Sequence, residues 1–186
     1  MRGKRVLVLA GSGGNGGGMV AARRLHGWCA DVEVWTTRHP DQLCAAGAHQ
    51  AHSLRALEIP LHAPGSIASL PLADLVLDAL IGYSLDGPPR DRVAALIEAA
   101  NAQTAPIVSL DLPSPRGPTG AVFDPCIHAD ATLALALPKL GLWAPWAHRV
   151  TGERYLADIG VPDEIYRRLT LDVGPIFARQ HLLRIG

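Results

Sequence analysis

Residues 11–18 carry six glycines in eight positions, directly after the apolar run Val6-Leu7-Val8-Leu9-Ala10. Nothing else in the chain restricts its fold as much. A helix-compatible segment follows at once: Met19-Val20-Ala21-Ala22-Arg23-Arg24-Leu25. The pattern is strand, glycine turn, helix. Such a turn brings backbone N–H groups and a helix N-terminus to the carboxyl end of a parallel strand, where they bind phosphate or another anion. Gly11-x-Gly13-x-x-Gly16 fits the dinucleotide fingerprint formally, although so many glycines satisfy many patterns by chance.

The remaining periodicities extend this unit. Strands are expected over 4–10, 32–35, 73–80, 106–111, 129–137 and 155–159, and helices over 17–28, 40–48, 90–102 and 162–169. Val93, Leu96, Ile97 and Ala100 fall at helical spacing. Segment 51–61 is ambiguous, with room for a short edge strand, and 62–71 and 117–125 read as loops. The tail from residue 170 has no clear period. Strands alternating with helices predict an α/β fold: a three-layer αβα, Rossmann-like, doubly wound and mostly parallel sheet. The late strands lack long intervening helices, so one edge should be mixed. The 186 residues are expected to form a single domain.

Charge narrows the function. Lys plus Arg and Asp plus Glu balance at 17 each. No basic field exists to hold nucleic acid or an anionic membrane. No spanning apolar run or signal-peptide pattern is present, and a cytoplasmic protein is expected. Cys29, Cys44 and Cys126 form an odd, scattered set without C-x-x-C, read as buried thiols packed as small hydrophobes.

An ordinary hydride-transferring Rossmann protein ends its second strand in Asp or Glu, which holds the ribose hydroxyls. Here Asp31-Val32-Glu33-Val34-Trp35 runs out into Thr36-Thr37-Arg38. Glu33 lies inside the strand, and Arg38 would suit a ribose phosphate or stand solvated. In doubly wound sheets the ligand lies beyond the carboxyl ends of the strands, at the switch point. Asn15 in the glycine loop, Asp78, and Asp111 with Ser114 all share that address. Asn15, Asp78 and Ser114 are hard oxygen donors, suited to an alkali or alkaline-earth cation. Asp111 is the candidate acid/base, or alternatively a turn residue beside Pro113. His49-x-x-His52 has metal-compatible spacing but no accompanying ligand, and is expected on the surface. Trp143 and Trp146 flank Pro145 and serve either edge packing or an interface.

Six motifs in order, over about residues 5–165, resemble the YjeF N-terminal domain of NAD(P)H-hydrate epimerases. The family loop G-P-G-N-N-G-G-D-G, followed by apolar-Ala-Ala-Arg, is similar to Gly11-Ser12-Gly13-Gly14-Asn15-Gly16-Gly17-Gly18-Met19 with Val20-Ala21-Ala22-Arg23. D-A-L-x-G-x-G-L resembles Asp78-Ala79-Leu80-Ile81-Gly82-Tyr83-Ser84-Leu85, and D-I-P-S-G resembles Asp111-Leu112-Pro113-Ser114-Pro115. A-D-x-T, P-K-x-G-L and D-I-G-I-P are similar to the segments beginning at Ala129, Pro138 and Asp158.

The resemblance implies an isomerase that interconverts the R and S forms of hydrated NADH or NADPH. A partner NAD(P)H-hydrate dehydratase then restores the cofactor. It implies a potassium ion on Asn15, Asp78 and Ser114, with Asp111 as the acid/base. It also implies substrate contacts from Gly14, Asn15, Gly16, Gly17 and Gly18, from Gly82, Tyr83, Ser84, Leu85, Asp86, Gly87 and Pro88, and from Asp111. Gly14 stands where the family has its first Asn, and Gly18 where it has Asp. Tyr83-Ser84 replaces a small pair, and Pro115 replaces Gly. On that pairing, Gly18→Asp is expected to fold and to restore a charged contact. The chain starts at its first strand, without the family's helical segment, so uncovered apolar surface and a homodimer are expected. A non-catalytic binding or scaffolding domain, or a subunit of a larger assembly, is the alternative on the same fold.

Overall fold

β1 (Arg5–Ala10) lies inside the sheet, and its side chains divide cleanly between two cores. Val6, Val8 and Ala10 enter one cluster, while Leu7 and Leu9 enter the other. A strand with both faces covered reads as an unbroken apolar run, and all five of these residues are essentially inaccessible. The computed structural model describes residues 1–13, 17–63, 65, 70–82, 87–114, 123–145 and 147–186.

α1 (Gly17–Gly27) returns the chain to β2 (Asp31–Thr36), and α2 (Ala45–Ala56) leads to the two-residue edge strand β3 (Leu61–His62). On the other side of β1 run β4 (Leu75–Ala79), α3 (Asp91–Asn101), β5 (Ile107–Leu110), β6 (Ala131–Leu135), the one-turn α4 (His148–Thr151) and β7 (Glu153–Ala157). α5 (Asp163–Arg168) precedes β8 (Leu182–Arg184). The eight-stranded sheet has the order β3-β2-β1-β4-β5-β6-β7-β8. Every pairing is parallel except β7 with β8. The chain leaves β1 in one direction and β4 in the other, so the switch point falls between these two strands. α1 and α2 cover one face through Met19, Ala22, Ala51 and Leu54, and α3 covers the other through Leu96, Ile97 and Ala100. The α/β, doubly wound, mostly parallel fold with one mixed edge is therefore present.

Several local boundaries differ from the sequence expectation. Residues 40–42 form a 3₁₀ turn rather than the start of a helix, and α2 begins at Ala45 and takes up the first part, 51–56, of the segment read as ambiguous. Pro40 favours the turn, since its fixed φ and missing N–H suit a first turn. β3 is held by more than two residues of pairing. Thr36 Oγ1 donates to the His62 carbonyl at 3.2 Å, and the Trp35 and His62 rings stack at 4.3 Å. The aperiodic tail supplies β8, whose Leu183 packs with Leu156 and Phe177. Only Cys126 is buried. Cys44 is half-buried, and Cys29 is exposed with φ +63° just past α1. His49 and His52 are exposed, as expected. No helix among the described residues is long and apolar enough to cross a membrane.

Two glycines fix how closely the switch-point elements approach. A Cβ on Gly11 would lie 1.8 Å from the Leu80 carbonyl oxygen. A Cβ on Gly18 would lie 2.5 Å from Ala79 Cβ and 3.5 Å from Val8. Gly18 is buried against β4, as a glycine opening a helix must be for close helix–strand packing. This overturns the expectation for Gly18→Asp. Its φ is not the obstacle, since it lies outside the left-handed region. The side chain would run into the sheet instead of facing a ligand. Gly18→Ala should cost about 1–3 kcal/mol by overpacking, and Gly18→Asp more, because it also buries a carboxylate. Ala79→Gly added to Gly18→Ala should recover part of the loss in urea unfolding. Wild-type stability of Gly18→Ala alone would refute the packing constraint.

Candidate functional site at the switch point

A cleft of about 590 Å³ opens beyond the carboxyl ends of β1 and β4. Gly11, Ser12 and Gly13 form one wall, Leu80, Ile81 and Gly82 another, and Asp111 and Lys139 lie at the far side. Of the expected substrate contacts, Gly82 and Asp111 line this cleft and Pro88 lines an adjoining one. Gly17 opens α1, Gly18 faces the sheet, and Gly87 follows the β4 loop with φ +101°. Gly14, Asn15, Gly16, Tyr83, Ser84, Leu85 and Asp86 lie outside the described residues, as do Pro115 and Trp146.

Asp78 and Ser114 lie beneath the cleft, both fully buried. Asp78 points into the face covered by α3, the same side as Ser109 on the neighbouring strand. Ser109 Oγ donates to Asp78 Oδ2 at 2.8 Å, and the Ser114 amide donates to the same oxygen at 2.9 Å. The Leu80 amide donates to Oδ1 at 3.1 Å. Ser114 Oγ accepts from the Ile81 amide at 2.9 Å and donates to the Ile81 carbonyl at 3.2 Å. Burial pushes the Asp78 carboxyl above its ordinary pKa, opposed by the Ser114, Ser109 and Leu80 hydrogen bonds. No lysine or arginine among the described residues pairs with it. A buried carboxylate without a cation, beside a hydroxyl with one lone pair left, is a donor set suited to a hard cation. The described residues hold no cluster of three His, Cys, Asp or Glu for a softer metal.

Asp111 stands on a strained turn. Its φ is +74°, and the Leu112 amide donates to the Leu110 carbonyl two residues back at 3.0 Å. That combination is the rarer, strained form of γ-turn. A second one closes β6, where Ala136 has φ +65° and the Leu137 amide donates to the Leu135 carbonyl at 2.8 Å. The two turns are joined through side chains. The Leu135 amide donates to Asp111 Oδ1 at 3.3 Å, and Lys139 Nζ donates to the Leu135 carbonyl at 2.7 Å. Lys139 Nζ also forms an ion pair with Asp111 Oδ1, both side chains being no more than 15% exposed. Among the described residues, Asp111 Oδ2 receives no hydrogen bond, so this oxygen remains for a ligand.

Lys139 lines the cleft, and the sequence expectation left it without a role. Its signal was a lone charge inside Leu135-Ala136-Leu137-Pro138-Lys139-Leu140-Gly141-Leu142. Sulfur chemistry also enters at the glycine loop, where Cys44 Sγ donates to the Gly13 carbonyl at 3.2 Å and ties α2 to the loop. Trp143 is half exposed, with the Arg154 guanidinium 4.6 Å above its ring.

Fold and site together define a doubly wound α/β domain with a largely buried Asp–Lys ion pair at its switch-point crevice. The family model for the YjeF-related protein N-terminus matches residues 1–141, and the chain belongs to this family. It is 42% identical over 176 residues to an NAD(P)H-hydrate epimerase of Dehalogenimonas lykanthroporepellens, covering 91% of the chain and 67% of that relative. It is 36% identical to one of Rhodopirellula baltica, covering 89% of the chain and 70% of the relative. A bifunctional NAD(P)H-hydrate repair enzyme of Pyrobaculum aerophilum is 36% identical over 92% of the chain, which spans 35% of that protein. The crystal structure of yeast ynu0 superposes with a TM-score of 0.80 at 22% identity, covering 99% of this chain and 78% of the other.

Proposed function

We propose that this chain is an NAD(P)H-hydrate epimerase with Asp111 as its acid/base. The carrying observation is the Asp111–Lys139 pair, set on a strained turn in the switch-point cleft of a chain whose relatives bear that name. Interconverting the R and S hydrates inverts one carbon, so a bond there breaks and re-forms on the other face, and a proton leaves and returns. Asp111 Oδ1 is occupied by Lys139 and the Leu135 amide, which leaves Oδ2 to take and return that proton. Lys139 offsets the carboxylate charge and opposes negative charge developing on the substrate oxygen. Gly11, Ser12 and Gly13 line the cleft, and backbone amides of such a loop suit the anionic part of the dinucleotide.

Potassium is proposed on Asn15, Asp78 and Ser114. When bound, it supplies a fixed positive charge beside the crevice and offsets the buried Asp78 carboxylate. The bifunctional relatives support a dehydratase as functional partner, whether on the same chain or separate. A homodimer is supported by the exposed side chains Leu140 and Trp143 on one 3₁₀ turn. Light scattering at micromolar concentration should then read twice the monomer mass of 19.7 kDa, and a monomer mass rejects it.

Asp111→Asn should lower the rate of hydrate epimerisation about 10²–10⁴-fold, the usual loss for a positioned proton-transfer group. It should keep the fold, because the amide oxygen still accepts from Leu135, at a cost of about 1–3 kcal/mol for leaving Lys139 unpaired. Wild-type rates in the variant would remove Asp111 from the mechanism. A wild-type protein no faster than spontaneous exchange would transfer weight to the binding-domain alternative.

Potassium chloride should raise Tm above that in choline chloride of equal ionic strength, by about 1.4 kcal/mol of added stability at ten times the Kd. Ser114→Ala removes one proposed ligand while keeping the amide that reaches Asp78, and should weaken this response. Equal Tm in the two salts would discard the potassium site.

A further inference from the structure

The cleft does not end at the glycine loop. A second basin of about 520 Å³ adjoins it, sharing Ser12, Thr37, Ile81 and Val93 as a common wall. Its far side carries Arg38, Arg90 and Arg92, with Asp91 the one acid among its described lining residues. The arginines come from two places, the segment after β2 and the start of α3.

Their environments differ. Arg92 is spent on the protein: Nε donates to the Thr36 carbonyl at 2.7 Å, Nη1 to Gly65 at 2.9 Å, and Nη2 to Ala63 at 3.1 Å. All of these acceptors are neutral carbonyls, so its positive charge stays uncompensated while its position is fixed. Arg38 and Arg90 are exposed, and neither forms an ion pair among the described residues. Arg90 is also the N-cap of α3 and supplies no side-chain cap, leaving that helix's first amides and its positive dipole end toward the basin.

We propose that this second basin is an anion subsite that grips a phosphate of the substrate, with Arg38 and Arg90 as the contacting side chains and Arg92 as fixed background charge. The proposal rests on the epimerase function above. A ligand pocket for a drug-sized molecule measures roughly 300–1,000 Å³, and a dinucleotide is larger than such a molecule, so two adjoining basins suit it. With the hydrated ring at Asp111, the rest of the molecule extends past Ser12 and Ile81 into the second basin. Guanidinium forks match phosphate oxygens bidentately, and the position after β2 is where dinucleotide folds place an Arg for a ribose phosphate. Two phosphates share this chemistry: the diphosphate bridge, present in both hydrates, and the 2′-phosphate, present only in that of NADPH.

The test is steady-state epimerisation of both hydrates by wild type, Arg38→Ala, Arg90→Ala and the double variant. Alongside it, calorimetry measures binding of ADP-ribose and 2′-phospho-ADP-ribose. The double variant should raise KM at least tenfold, and circular dichroism should report the wild-type fold. A rise confined to the NADPH hydrate, with loss of 2′-phospho-ADP-ribose binding, assigns the 2′-phosphate. A rise for both hydrates assigns the diphosphate. Unchanged KM and unchanged binding of both probes in the double variant overturns the subsite while the epimerase function stands. If wild type does not turn over, binding still decides: arginine-dependent affinity keeps the subsite and drops the epimerase, and arginine-independent or absent affinity overturns the subsite.

Discussion

A carboxylate wholly withdrawn from water must be matched by donors, or it costs several kcal/mol. Asp78 meets that demand with groups from three segments: the Leu80 amide beyond β4, the Ser109 hydroxyl on β5, and the Ser114 amide in the loop after β5. None of these can drift without stripping a donor from a buried charge. Ser114 passes the constraint on, because its hydroxyl both accepts from and donates to Ile81. Leu80 and Ile81 after β4 and Ser114 after β5 therefore belong to one hydrogen-bonded unit, and Ile81 lines both basins. Close approach of Gly11 to the Leu80 carbonyl fixes the start of the glycine loop against the same unit.

Beside this unit the backbone carries strain. Asp111 and Ala136 both hold positive φ without being glycine, at a cost of order 1–3 kcal/mol each. The compensation is local. The Asp111 amide still completes the ladder to the Leu133 carbonyl at 2.8 Å, and the Ala136 amide does the same with Ala157 at 3.0 Å. The turns thus bend only after the last sheet bond has formed. Lys139 spans them, bonded to the Leu135 carbonyl and paired with Asp111. The Asp111 side chain is held over the cleft by sheet pairing on one side and by a lysine on the other.

Much of this was legible in the sequence because it follows from period and composition. The unbroken apolar runs of β1 and β4 state that both faces are covered, and the glycine run states that a helix approaches closely. Convergence of Asp78, Ser114 and Asp111 followed from the rule that ligands gather where strand order reverses. Contacts that a side chain makes across the fold were not legible. Lys139 lies 28 residues from Asp111, and no local pattern announces that pairing. A pairing of motifs says which residue Gly18 replaces, whereas the fold shows that Ala79 occupies the space. β8 escaped because three exposed or half-buried residues on an antiparallel edge need little hydrophobic alternation.

The distribution of charge completes the picture. Overall the chain is neutral, so it has no long-range field to draw an anionic ligand in. Fields from individual exposed arginines fade within about 8–10 Å at physiological ionic strength. Recognition of an anion would then occur at contact, and on the proposed function the two basins divide that work. At one end Asp111 and Lys139 neutralise each other, which leaves a polar but uncharged setting. At the other, three arginines face a single Asp91, and the most constrained of them is bonded only to carbonyls. A ligand with an uncharged reactive end and an anionic remainder has only one orientation in such a cleft that avoids burying charge against the wrong partner. On the proposed function, orientation is set by the difference between the two ends, before any group at the reacting carbon acts.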